Sequence, residues 1–198
     1  MKKFLLIPLL IFSLNCLSQE TPSSLLENLC EYKTDGLGKS KGLKIKIKFP
    51  CNWKQADGDR PHVVKKFSYD LGDGSSLNQN IVINQFPYTP SNAEINDMLS
   101  SQGLKELVGK SGTFISGRKI KIDGIDCGEV KTQMVRETTV GTIYLYSIIY
   151  YLVYKDKLIV LTCGAGADND SRAKEVFENY NIIFKSFANS LVILSKWE

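Results

Sequence analysis

Between Thr142 and Tyr154 the chain reads TIYLYSIIYYLVY, and no charged residue interrupts these thirteen positions. A run that is apolar or aromatic on both strand parities needs cover on both faces. It therefore predicts a strand at the centre of a sheet, packed between layers rather than lying on a surface. Lys155-Asp156 then turns the chain into a second buried strand, Leu158 to Cys163.

Other segments fall into place around this pair. Lys119 to Ile122 and Ile125 to Val135 are separated by Asp123-Gly124, a strong short-range signal for a hairpin. Val63 to Tyr69 and Leu77 to Phe86 read as two strands joined through Gly72-Asp73-Gly74. A further strand runs from Leu43 to Phe49 and is stopped by Pro50. In it Lys44, Lys46 and Lys48 alternate with Leu43, Ile45, Ile47 and Phe49, the period of a strand with one wet face. We read it as a solvated edge strand whose lysines discourage mispairing. With Lys39 and Lys41, an anionic-ligand surface is the alternative.

Helical signals separate the strand groups. Ser23 to Cys30 suggests a short helix with Leu25, Leu26 and Leu29 on one face, and Tyr32 to Gly42 a loop. Ser91 opens a second helix, where Glu94 can close a capping box ahead of Ile95, Met98 and Leu99, and Gly103 weakens its continuity. A third runs from Asp170, as cap, to Phe187. Its Ala173, Val176, Phe177, Tyr180, Ile183, Phe184 and Phe187 recur at three and four. The tail Leu191 to Leu194 suits a short extra strand or a packing flap. Helix, strands, helix, strands, helix, with hairpins throughout, defines an α+β class with a mostly antiparallel central sheet.

The N-terminus predicts export. Lys2 and Lys3 precede an apolar run, Phe4 to Leu14, that is too short for the roughly 18 to 20 residues of a membrane span. Residues 1–18 read as a signal peptide cut after Ser18. In the alternative, Ser13-Leu14-Asn15-Cys16 is a lipoprotein box, and lipid on Cys16 would be the one attachment to a membrane. Residues 19–40 then form an N-terminal helix and loop, and 41–198 a single domain. Without the leader lysines the formal charge of +4 falls to about +2, too near neutral to indicate nucleic acid. Cys30, Cys51, Cys127 and Cys163 remain, and in an exported chain they allow three disulfide connectivities. A Cys30–Cys51 bridge would pin the Gly- and Lys-rich loop between them, and Cys127 and Cys163 suit buried thiols equally well.

No residue set carries chemistry on its own, and we assign no catalytic, cofactor-binding or metal site. His62 is the only histidine and lies in a loop beside Pro61. Gly36-Leu37-Gly38-Lys39-Ser40 imitates the end of a phosphate loop, yet Lys33 stands where its first glycine is required. Gly164-Ala165-Gly166 reads as a tight strand-to-helix connection, because Asn169 replaces the third glycine of a dinucleotide crevice. Asp168, Asp170 and Glu175 lack the calcium-loop order, and their place at a helix start explains them. Asp57, Asp59, Asp70 and Asp73 lie in loops with no acid–base pairing legible. Tyr144, Tyr146, Tyr150 and Tyr154 share one strand face, expected to pack beneath a helix, with a small-ligand cleft or partner groove as the alternative. Trp53, in a turn after Pro50, suits a core plug equally well.

Phe49-Pro50-Cys51-Asn52-Trp53, the helix Ser91 to Leu107, Ile122-Asp123-Gly124, the strand pair ending at Cys163 and the closing Phe184-Lys185-Ser186-Phe187 together resemble the PsbP/Mog1-like superfamily over about residues 40 to 188. That resemblance implies an α/β/α sandwich and a non-enzymatic domain that binds a protein or assists an assembly. Its plant members support the oxygen-evolving photosystem and its fungal nuclear member binds a small GTPase. Neither role transfers to an exported chain. The expectation is an exported, periplasmic, secreted or lipid-anchored binding domain with a protein partner and no cofactor. A carrier of a small apolar or anionic ligand is the alternative, and a hydrolytic enzyme a distant third.

Overall fold

The computed structural model describes residues 21–139 and 141–197. The leader expected over residues 1–18, with the Cys16 and Ser18 readings of its end, lies outside them.

Thr21 caps a short helix, α1 (Pro22–Glu27), by accepting from the Ser24 amide. The chain then enters β1 (Leu29–Lys33), where a helix end and a loop were expected. β1 pairs antiparallel with β2 (Ile45–Pro50), and β10 (Val192–Ile193) pairs with β2 from the other side. The lysine-bearing strand is thus the middle of a three-stranded sheet and not an edge. Its alternation holds: Ile45, Ile47 and Phe49 are buried while Lys46 and Lys48 face outward. Periodicity reports which face is wet, but whether a strand has neighbours depends on segments far away in the chain.

The main sheet holds seven strands in the order β3 (Lys54–Asp57), β4 (Val63–Asp70), β5 (Ser76–Gln85), β9 (Lys157–Ala167), β8 (Gly141–Tyr154), β7 (Ile125–Thr138) and β6 (Thr113–Ile122). Every pairing is antiparallel. The fold is α+β, as the pattern of hairpins implied. β8 is interior, with β9 at the midpoint beside it. β3 is exposed at all four positions, so no burial pattern could announce it. β9 runs on through Gly164-Ala165-Gly166, which were expected to form the turn into the last helix. A Cβ on Gly164 would press on the Tyr146 carbonyl and the Ser147 hydroxyl of β8, so these glycines serve close strand approach.

Helices cover the sheet on both sides. α4 (Asp170–Asn189) lays its buried stripe across β8 and β9, against Tyr146, Ile148, Tyr150 and Leu152. Its cap is Asn169, which accepts from the Arg172 amide, and Asp170 begins the first turn. The small sheet shares this side, with Phe49 4.4 Å from Phe67 and Phe187 5.8 Å from Phe67. On the other side α2 (Asn92–Met98) and α3 (Ser101–Val108) rest on Val130, Ile149 and Tyr151. Ser91 and Glu94 close the expected capping box. The predicted helix is broken at Leu99-Ser100, where the Ser100 hydroxyl recaps the chain by accepting from the Gly103 amide. Among the described residues no helix is long and apolar enough to cross a membrane.

Candidate functional site

The tyrosine face is packed at Tyr146 and Tyr150, while Tyr154 at its end borders a small cavity of about 170 Å³. Tyr146 and Tyr150 are buried under α4, and Tyr146 donates to Asp170 at 3.0 Å. At the other end of β8, Tyr154 donates to the Ser195 carbonyl at 2.9 Å. The loop acids are engaged as well. Asp57 pairs with Lys65 and Asp59 with Lys66, Asp70 takes the Gly72 amide, and Asp73 takes Ser75 and Arg172. Asp170 also accepts from Gln133, and Glu175 pairs with Arg172 at 3.0 Å. His62 sits half-buried ahead of β4, its carbonyl taking the Ile83 amide. Gly38–Ser40 forms a single 3-10 turn, with no helix behind it to receive a phosphate. Trp53 is buried and stacks on Tyr69, which gives it the core role.

The cysteines divide into two kinds. Cys30 and Cys51 form a disulfide across the ends of β1 and β2, one of the connectivities left open above. Cys127 and Cys163 are free and fully buried. Burial pushes the Cys127 thiol up to about 12 and raises Cys163 well above the ordinary thiol range. Neither holds a thiolate at neutral pH, so neither is primed as a nucleophile.

The residue that stands out is one sequence reading passed over. Glu129 lies mid-strand in β7, directly across from Arg118 of β6 and Tyr150 of β8. Its side chain is only 7% exposed. A carboxylate so placed is costly unless paired, and here Arg118 Nε donates to Glu129 Oε1 at 2.6 Å. That bond raises the Arg118 guanidinium above its already high range. Behind the pair, the buried Tyr150 hydroxyl makes no hydrogen bond of good geometry. Burial, with the nearby Glu129 charge adding, pushes it far above the phenol range, and it stays protonated.

This pair floors a cleft of about 280 Å³ lined by Ser116, Gly117, Arg118, Glu129, Lys131 and Lys185. Strand parity puts Arg118, Glu129 and Lys131 on the α4 side of the sheet, and α4 itself contributes Lys185. Three cations around one carboxylate, all reachable from solvent, make a site for an anionic group. Among the described residues no cluster of three metal-ligating side chains was found. A larger cavity of about 420 Å³ lies on the opposite face, between Arg60, Lys66 and Arg136 and the sheet positions Asn80 and Thr162. It lacks a buried charged group at its floor.

Fold and site together define a two-sheet α+β domain with a cationic cleft on one border of its larger sheet. No protein-family model and no curated protein matches the chain. Among solved structures it is similar to LpqN, involved in cell envelope biogenesis of Mycobacterium tuberculosis, at 12% identity and a TM-score of 0.49, covering 89% of this chain and 98% of that one. It is also similar to a protein from Bacteroides thetaiotaomicron at 11% identity and a TM-score of 0.41, covering 85% of this chain and 49% of that one. Both are likenesses of shape, and neither assigns a residue or an activity to this chain.

Proposed function

We propose that this is a non-enzymatic binding domain that works outside the cytoplasm, in or beyond the bacterial envelope, and engages a protein partner through the cleft at Arg118. The observation that carries the reading is the buried Glu129 carboxylate holding a largely exposed guanidinium in place. An arginine fixed by a buried acid loses less freedom on binding than an unheld one, so its fork is presented ready for a carboxylate. The Cys30–Cys51 bridge supports an oxidising compartment, and the leader expected from Lys2, Lys3 and the apolar run points the same way. The protonated, buried thiols of Cys127 and Cys163 favour binding over covalent chemistry. The PsbP/Mog1-like resemblance read from the sequence agrees with a domain of this kind, released after Ser18 or tethered by lipid on Cys16.

A photo-cross-linking residue placed at Ser116 or at the neighbouring exposed Ile115, in cells of the native host, tests it. Discrete adducts of one protein from both positions are expected, with none from the same probe at Ile182, which is exposed on the outer side of α4. Adducts from Ile182 alone, or none from either Ser116 or Ile115, would refute the assignment.

A further inference from the structure

The cleft opens onto β6, which ends the seven-strand order. Asp123 and Gly124 have φ values of 49° and 75°, the two-residue turn of a tight hairpin, so Ile122 and Ile125 exchange the first close pair of ladder bonds. Alternation then directs the amides and carbonyls of Lys121, Lys119 and Gly117 away from β7. Among the described residues no backbone group bonds to them from outside the sheet. The side chains along this border are cationic. Arg118 lies on the cleft side, beside Lys131 and Lys185, and Lys119 and Lys121 lie on the other. Among the described residues, Glu129 pairs with Arg118 and Asp126 with Lys119 and Lys121.

We propose that an extended, acidic segment of the partner adds to β6 as an eighth strand, with one of its carboxylates seated in the cleft between Arg118, Lys131 and Lys185. This rests on the protein-binding reading above and gives it a mode. Backbone bonds to Gly117, Lys119 and Lys121 supply affinity, and the cleft supplies selectivity for an acid. A second copy of this chain is disfavoured as occupant, because antiparallel pairing of β6 with itself sets its cations against one another. Lysines on this border thus repel the chain's own kind while they attract an acidic strand.

The test uses the whole folded protein and a synthetic peptide of about eight residues alternating glutamate with valine and threonine, a length that spans the border. Isotope-edited amide spectra should show peptide-induced shifts and slowed exchange at Gly117, Lys119 and Lys121. The same peptide with lysine for glutamate should bind at least about tenfold more weakly. Lys119→Pro removes one outward amide without touching the β6–β7 ladder and should weaken binding at least about tenfold, whereas Lys119→Ala should weaken it far less. If the proline variant fails to fold, the wild-type protein with a peptide N-methylated at alternate residues asks the same question. Shifts confined to Arg118, Lys131 and Lys185, with the N-methylated peptide binding unimpaired, overturn strand addition and leave the cleft reading intact. Binding that ignores peptide charge, or a concentration-dependent dimer in sedimentation that the peptide dissolves, overturns the acidic partner. Failure of both peptide binding and cross-linking at Ser116 removes the binding function itself.

Discussion

Glu129 shows how much a residue's meaning depends on its surroundings. In sequence it sits among Cys127, Lys131 and Gln133 on one strand parity, an ordinary half-polar face. Only when α4 covers β8 and β9 does that face become dry at Tyr150 and wet at Arg118, leaving the carboxylate between them. Asp73 is a second residue whose role appears only in the fold. It was read as part of a turn, and it is also the acceptor for the Ser75 hydroxyl and amide and the partner of Arg172 on α4. The Ser75 bonds first, then Arg172, hold its carboxyl well below the usual range, at about 2. A carboxyl depressed in the folded state stabilises while ionised, so the contribution is complete at neutral pH and lost as the pH falls from about 4 through 2. Urea unfolding of the wild type and Asp73→Asn should show a gap in midpoint at pH 7 that closes toward pH 2. A gap that persists undiminished in acid would show that charge is not its source.

At the scale of the element, short-range signals divide: some give the element directly, while the cap of α4 is Asn169 and not Asp170, and Gly164-Ala165-Gly166 extends β9 instead of turning it. The capping box at Ser91, the Asp123-Gly124 hairpin and the stripe of α4 each depend on residues within a few positions of one another. β1 and β3 escaped notice for different physical reasons. β1 is short and half-buried, and its partner β2 lies beyond a loop. β3 buries nothing and is held by its ladder to β4 and by the Asp57–Lys65 pair. The disulfide ties β1 to the end of β2 and closes a loop with a sequence separation of 21. Replacing Cys30 and Cys51 together by alanine should lower stability by about 3 kcal/mol, the loop-closure entropy returned to the unfolded chain. Denaturant titration measures the loss, and a double variant as stable as the wild type would mean that the ladder alone suffices. In the protein cut after Ser18, which lacks Cys16, reactivity toward thiol reagents should stay low with or without the disulfide until it unfolds, because Cys127 and Cys163 are both fully buried.

For the whole molecule, the two cores differ in size and so in persistence. The larger one joins both sheets and α4 through Phe49, Phe67, Phe184 and Phe187, which ties the small sheet to the main one. The smaller one holds α2 and α3 through Leu99, Leu104 and Val108. Gly128 lets Leu104 reach the sheet, and a Cβ there would collide with it. Hydrogen exchange should therefore find α2 and α3 opening well below the global unfolding free energy, and α4 only with the rest. Equal protection in all three helices would show that the smaller core is no separate unit.

Hydrophobic period, caps and turn residues act over a few positions, and through them the chain determined by itself its α+β class, its hairpins, the helix start at Ser91 and the wet face of β2. Strand order, the middle place of β2, the terminal place of β6 in the described sheet and the burial of Glu129 were decided by the assembled layers. Burial and hydrogen-bond partners belong to surfaces brought together from distant parts of the chain, as Lys131 of β7 is brought to Lys185 of α4. No local pattern carries that information.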